Sequence, residues 1–323
     1  MDADANGSMT AGFDYKKLRS ALAATAAKGV RLGTSSWKYP GWMGTVYDEQ
    51  NYLWRGKVSE ARFARDCLAE YALLFPTVCV DAAYYRFPDR AALSSMAAVV
   101  PAGFQFSFKV TADVTIKRFP QLPRYGAKGG TLNPCFLDPE LFQKAFLEPC
   151  QAIKSQVGLL ILAFPTFHPG EFHRGRDFME VLGRFFADLP SGWDYGVELR
   201  NRTWLHPEYF SMLAGHRVTH VFNSWADMPS VAEQWDMPGS ITNPECIAAR
   251  LLLKPGRNYQ EAVDAFQPYN KVHEVQPEVR ATAAAMVRRG RRTGGKTWLY
   301  VNNRLEGNAP RTIAAVMAMA GEL

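Results

Sequence analysis

The chain has 323 residues, 47% hydrophobic and 21% charged, with a net charge of +6 and a pI of about 9.0. That balance excludes a disordered or fibrous chain, and no run of roughly 18 apolar residues is present to cross a membrane as a helix. The basic excess favours anionic partners, and five scattered cysteines without a CxxC pair predict a reducing, cytoplasmic setting rather than disulfides or a thiolate zinc site.

Residues 1–12 are small and polar and read as a leader. Lys16, Lys17 and Arg19 ahead of residues 21–27 imitate a signal peptide, but the run is short, Ala-rich and closed by Gly29. Residues 1–29 are therefore predicted as a leader and a short helix, and residues 30–323 as one domain. The first strand is expected at 30–35. It runs into a Pro40-Gly41 turn flanked by Trp37, Tyr39, Trp42 and Tyr47, which is either a plug over a barrel end or a stacking surface.

Residues 58–75 carry Phe63, Cys67, Tyr71 and Leu74 at helical spacing, and the next strand, 77–81, ends in Asp81. A helix opens at Pro88 and runs to Val100. In strand three Phe104, Phe106 and Phe108 alternate with Gln105, Ser107 and Lys109, so in a barrel Lys109 crowns the interior. Residues 111–137 hold no acid between Asp113 and Asp138 but carry Lys117, Arg118, Phe119, Arg124, Tyr125 and Lys128. A loop this long predicts a lid or groove wall for an anion.

Asp138-Pro139 starts a helix that Pro149 should kink. Strand four, 158–164, is apolar on both faces, the mark of a buried parallel strand. A helix follows from about Asp177. Strand five turns Tyr195, Val197 and Leu199 one way and Gly196, Glu198 and Arg200 the other. Strand six is read at 217–223, strand seven at 247–253 followed by a polar excursion to Lys271, a helix at 277–290, and strand eight at 297–301 before a last helix.

Eight strands alternating with helices predict a TIM-barrel-like (β/α)8 barrel with its long loops on the C-terminal face. A doubly wound sheet competes, but no Gly-rich phosphate loop follows the first strand. On the barrel reading, the strand ends supply Trp37 and Tyr39, Asp81 and Tyr85, Lys109, Glu198, Arg200, Asn201 and Trp204, Asn223 and Asp227, and Asn302 and Asn303. Glu198 is the candidate general acid or base with Asp81 assisting, and Arg200 and Lys109 neutralise substrate charge. Glu198 and Arg200 alone are equally compatible with a structural ion pair. Whether Asp81 and Glu198 approach each other is open, since strands two and five lie apart.

The loops after strands seven and eight offer Lys254, Arg257 and Arg304 near Gly307 and Asn308 as a phosphate site, against ordinary solvated charge with Asn308 as a helix cap. No HxH, HExxH or GxSxG motif occurs, so no cofactor is predicted, while a divalent metal is not excluded. The Arg288-Arg289-Gly290-Arg291-Arg292 cluster precedes a strand and belongs to the opposite face.

Gly33-Thr34-Ser35-Ser36-Trp37-Lys38-Tyr39-Pro40-Gly41-Trp42, Val80-Asp81-Ala82-Ala83-Tyr84-Tyr85-Arg86 and Glu198-Leu199-Arg200-Asn201-Arg202-Thr203-Trp204 together resemble the domain-of-unknown-function 72 family (YecE-like). Phe106-Ser107-Phe108-Lys109 and Tyr300-Val301-Asn302-Asn303 also fit. The resemblance implies a TIM-barrel-like fold and no assigned activity. Asp81 stands where the family more usually has glutamate, Asn201 where it often has histidine, and Ala163-Phe164-Pro165-Thr166 replaces a Gln-Leu-Pro-Pro run. The expected function is a hydrolase- or lyase-type enzyme acting on an anionic, phosphate-bearing small molecule or nucleic acid at the barrel mouth. The alternative is a non-catalytic nucleic-acid-binding protein with a basic aromatic groove. The oligomeric state is not encoded in any of these motifs.

Overall fold

The computed structural model describes residues 13–323, so the expected leader over 1–12 lies outside the described residues. Eight strands close into one parallel barrel: β1 Val30–Thr34, β2 Thr77–Val80, β3 Gln105–Lys109, β4 Val157–Ala163, β5 Asp194–Glu198, β6 Thr219–Asn223, β7 Cys246–Leu251 and β8 Lys296–Val301. Each pairs with its sequence neighbours, and β1 closes against β8 along its whole length. The seam between β1 and β2 is thinner, with a single registered pair, Thr34 with Val78.

Alternation along the strands sorts the core into two compartments. Outward-facing Leu32, Phe106, Phe108, Leu160, Leu162, Val197, Phe222, Ala249 and Leu299 join the helices in the main core. Inward-facing Cys79, Leu159, Ile161, Ala163, Val221, Cys246, Ala248, Trp298 and Tyr300 fill the barrel. The Tyr300 hydroxyl is satisfied there by Ser107 Oγ at 2.5 Å and Thr77 Oγ1 at 3.0 Å. The barrel interior is thus packed.

The helices start where local chemistry allows. The first, Tyr15–Ala26, is capped by Asp14, whose carboxylate accepts from the Lys17 amide. Ser59 caps Glu60–Leu74, Asp89 caps Arg90–Ala98, and Pro207 and Pro277 occupy first turns. The stretch expected to kink at Pro149 does depart from α geometry. Pro149 has no amide hydrogen, and the turn before it, Phe142–Leu147, is wound as a π-helix while Gln151–Gln156 tightens to 3-10.

Two helices escape the periodicity reading. Val231–Asp236 and Tyr259–Phe266 are too short to show an apolar repeat, yet each has a reciprocal capping box, Ser230 with Glu233 and Asn258 with Glu261. The second interrupts the excursion expected to be polar, and it buries Ala262 and Phe266. Among the described residues, no helix is long and apolar enough to cross a membrane.

Candidate functional site

Four strands deliver charge to the C-terminal mouth. The alternation that turns Val197 and Leu199 outward turns Glu198 inward, where it is wholly buried. Below it Gly196 sits against Val221 and Leu159, leaving the carboxylate as the top inward group of β5. On β3 the same logic places Ser107 inside and Lys109 above it. Asp81 follows directly on β2 as the first residue of a 3-10 turn, Asp81–Tyr84. On β7, Cys246 and Ala248 face inward, and so does Arg250, which is 2% exposed.

Arg250 organises the site, and strand-end reading missed it. Its Nη1 donates to Glu198 Oε2 at 2.5 Å and its Nη2 to Asp81 Oδ1 at 2.6 Å. The two acids therefore meet through one guanidinium rather than by direct contact. Arg200 engages the other Glu198 oxygen, with Nε at 2.9 Å and Nη2 at 2.6 Å, while its own guanidinium lies 3.7 Å from the Trp225 ring centroid. The signal for Arg250 was present: it is the only charge in Cys246-Ile247-Ala248-Ala249-Arg250-Leu251, and period two aligns it with Ala248.

The electrostatics follow from this pairing. Burial by itself raises a carboxyl pKa, but the Arg250 and Arg200 guanidiniums with Lys109 outweigh it and hold Glu198 at about 2. Burial opposes the charge of Arg250, and Asp81 and Glu198 overcome that and raise its pKa. Lys109 has the contrary environment. Burial, then Arg200 and Arg250, push its ammonium down to about 7, against the weaker pull of Asp81 and Glu198. Its Nζ sits 3.5 Å from the Tyr84 ring centroid. Among the described residues it forms neither an ion pair nor a hydrogen bond.

Other predicted residues lie near this cluster but mostly hold the loops. Trp37 and Trp42 are buried, Tyr47 bonds the Trp37 carbonyl, and the partly buried Tyr39 packs 4.8 Å from Trp42 and 5.6 Å from Tyr269. Asn201 clasps Phe167 through both its amide groups, at 2.9 and 3.0 Å. Trp204 stacks on Phe178 and Phe167 in an aromatic cluster under the same loop. Asn223 is buried and donates to the Leu199 carbonyl, while Asp227 is exposed beyond β6. Asn302 caps the Arg304 amide, and Asn303 accepts from Trp42 Nε1 and the Ala309 amide. Tyr85 is 65% exposed, with Arg124 over its ring.

The residues expected to bind phosphate contact other protein groups. Lys254 and Arg257 both pair with Glu274, and Arg304 lies over Tyr259 at 4.3 Å. Gly307 adopts φ +107°, and a Cβ there would meet His273 and the Lys271 carbonyl at 2.7 Å, so the backbone is packed shut at that point. Asn308 caps the last helix, Ala309–Met319, by accepting from the Arg311 amide.

The 111–137 segment folds back as a docked flap. Phe119 and Thr131 pair their backbones, Asn133 Nδ2 donates to the Asp113 and Ile116 carbonyls, and Ala112, Ile116 and Phe119 pack on Tyr84. It therefore walls the mouth on the Lys109 side. A cavity of about 680 Å³ opens at the other end of the barrel, lined by Lys154, Trp193, His216, Arg217 and Lys296, and shares no residue with this cluster. The Arg288–Arg292 basic stretch also lies at that end, where Arg291 pairs with Glu322 and Arg288 donates to the Met319 carbonyl. His220 is buried among Tyr209, Phe210 and Phe222, and among the described residues no group of three His, Cys, Asp or Glu gathers.

With this geometry in place, comparison with known proteins gives the family. The model of the family described as "Protein of unknown function DUF72" matches residues 31–323, and the chain belongs to that family. The fold is similar to that of a DUF72 family protein from Enterococcus faecalis V583, at 17% identity and a TM-score of 0.60, covering 90% of this chain and 95% of that one. It is also similar to one from Thermotoga maritima MSB8, at 19% identity and a TM-score of 0.58, covering 91% and 99%. At such identities the likeness speaks for the fold alone. No curated protein matches the chain.

Proposed function

We propose that this DUF72 barrel is a cytoplasmic enzyme of lyase type, performing acid–base chemistry on an anionic, phosphate-bearing small molecule at its C-terminal mouth. One observation carries the reading. The two guanidiniums neutralise the two carboxylates and leave Lys109, titrating near neutrality, without an ion pair beside them. A purely structural network gains nothing from an unpaired amine in its midst, whereas proton transfer at neutral pH needs a group poised there. Glu198, held ionised by two arginines, is a weak base, so the proton-carrying role expected of it passes to Lys109 with Asp81.

Two acids against two guanidiniums and one amine leave the mouth neutral or positive, which suits an anion. Arg200, 14% exposed at its side chain, is the guanidinium that can reach one. The reading requires no cofactor. A thermal-shift panel of phosphorylated sugars, nucleotides, short oligonucleotides and divalent metals tests it, repeated on Glu198→Gln and Arg200→Ala. A small-molecule shift abolished in either variant supports the enzyme.

The second reading, nucleic-acid binding without catalysis, draws on exposed Tyr85 with Arg124 over its ring, a surface on which a base could stack. A shift with oligonucleotides alone, steeply salt-dependent and untouched by both variants, favours that reading.

A further inference from the structure

We infer that Lys109 reacts as an amine with the carbonyl carbon of an anionic aldehyde or ketone, forming an imine in the barrel mouth. The inference rests on the mouth being the site, as proposed above, and names its substrate class.

Geometry carries the argument first. Lys109 ends β3 with its Nζ against the face of Tyr84, and the residue is partly exposed. The charged groups facing it are Asp81 from the end of β2, Glu198 and Arg200 from β5 and Arg250 from β7. These four pair with one another through contacts of 2.5 to 2.6 Å, none of which involves Lys109, and Arg250 Nε has no partner among the described residues. A lysine meant to hold the acids together would be inside that lattice; here arginines do that work. Their positive charge also favours the neutral amine, the form with a lone pair.

The second requirement is a proton carrier for dehydration. Both oxygens of Glu198 are occupied by guanidinium donors. Asp81 differs. Its Oδ1 binds Arg250, no hydrogen bond engages Oδ2 among the described residues, and the side chain is 31% exposed. In the step, the neutral Nζ adds to the carbonyl carbon as the C=O π pair moves onto oxygen, and Asp81 takes one proton from the nitrogen and gives it to that oxygen, leaving a neutral carbinolamine. The nitrogen lone pair then expels the hydroxyl, which departs as water with a proton drawn from solvent through Asp81. Amine, carbonyl and one proton thus give protonated imine and water, with no oxidant or reductant. The imine, protonated, withdraws electrons from the neighbouring carbon and so opens proton loss or carbon–carbon cleavage there, the chemistry of a lyase.

The test is reductive trapping. The full-length protein is incubated with glyoxylate, pyruvate, dihydroxyacetone phosphate or neutral glycolaldehyde in the presence of sodium cyanoborohydride, then analysed by intact mass and peptide mapping. The expected result is one adduct per chain on Lys109 with at least one anionic probe. It should be absent in Lys109→Arg, and Arg200→Ala should slow trapping of the anionic probes tenfold or more beyond its effect on glycolaldehyde, whose trapping loses only the Arg200 contribution to the lowered Lys109 pKa. A readout independent of variants is the pH profile of trapping on the unmodified protein. Labelling of Lys109 should reach half its maximal rate near its pKa of about 7, while surface lysines follow the ordinary range of about 10.4.

Adducts spread over surface lysines at the rate of Lys109, or no Lys109 adduct with any probe, would overturn the inference. The two readings fail separately. A small-molecule thermal shift abolished in Arg200→Ala with no trapping at Lys109 leaves the mouth as the site and removes only the imine.

Discussion

Replacing Arg250 with methionine tests the reasoning behind the mouth most directly. The substitution keeps an unbranched side chain of similar length but leaves Glu198, wholly buried, with Arg200 as its one guanidinium partner. Breaking a buried ion pair from one side costs about 3–5 kcal/mol, because the remaining charge keeps its desolvation penalty and loses its partner. Asp81 adds little, since at 31% exposure it can rehydrate. An unfolding entropy of about 2.1 cal/mol/K per residue makes each kcal/mol worth roughly 1.5 °C at this length, so Tm should fall by about 4–7 °C.

The pH dependence supplies the sharper check. A carboxyl that titrates at about 2 when folded and 4.5 when free adds stability above the free value and loses it as pH falls toward the folded one. The unaltered protein should therefore lose about 2 kcal/mol of this contribution between about pH 5 and pH 3. In Arg250→Met the carboxyl titrates higher, the loss is smaller, and the gap between the two proteins narrows by up to about 2 kcal/mol over that range. Urea unfolding across this interval measures it, with the Glu198→Met/Arg250→Met pair closing the cycle. A cost under about 1 kcal/mol, a gap that stays constant on acidification, or additive single mutants would refute the account.

Three further predictions concern the scaffold. His220 is buried among aromatic rings and burial holds its pKa at about 3, so the unfolded chain binds more protons from there up to the ordinary value of 6.5, and stability falls as pH drops through that window. His220→Phe should lose roughly 3 kcal/mol less than the parent between neutrality and about pH 4, measured by urea midpoints. Gly33→Ala would place a Cβ 2.0 Å from the Thr77 carbonyl oxygen at the thin β1–β2 seam. It should destabilise by about 3 kcal/mol or more, whereas Gly103→Ala, with nothing within 4 Å of its Cβ, should stay within about 1 kcal/mol. Glu306→Gln disrupts a buried carboxylate held by Arg280 and Thr312, neither of which pairs with the Asp81–Glu198–Arg250 cluster among the described residues. It should cost roughly 3–5 kcal/mol in denaturant melts while leaving ligand-induced thermal shifts at the mouth unchanged.

Local pattern alone specified much of this protein. Period two in Phe104 to Lys109 and in Tyr195 to Arg200 set which side chains enter the barrel, because a strand has only two faces and one of them must be buried. Eight such strands separated by helices left little choice but a closed parallel barrel, and the closed sheet has that order. The helices at Val231–Asp236 and Tyr259–Phe266 escaped because a repeat of 3.6 residues is hardly expressed in six or eight positions.

What only the tertiary structure decided is which charges answer which. Asp81, Glu198 and Arg250 are separated by 117 and 52 residues along the chain. Closure of the barrel brings them onto one guanidinium. Sequence could place Lys254 and Arg257 near a strand end but not show that Glu274 neutralises both. It could name Asn201, Asn223, Asn302 and Asn303 as mouth amides but not show how their hydrogen bonds tie the loops. The physical reason is range: side-chain direction is settled by the residue's own backbone, whereas a charge partner is settled by closure of the whole sheet, and no local window of sequence contains it.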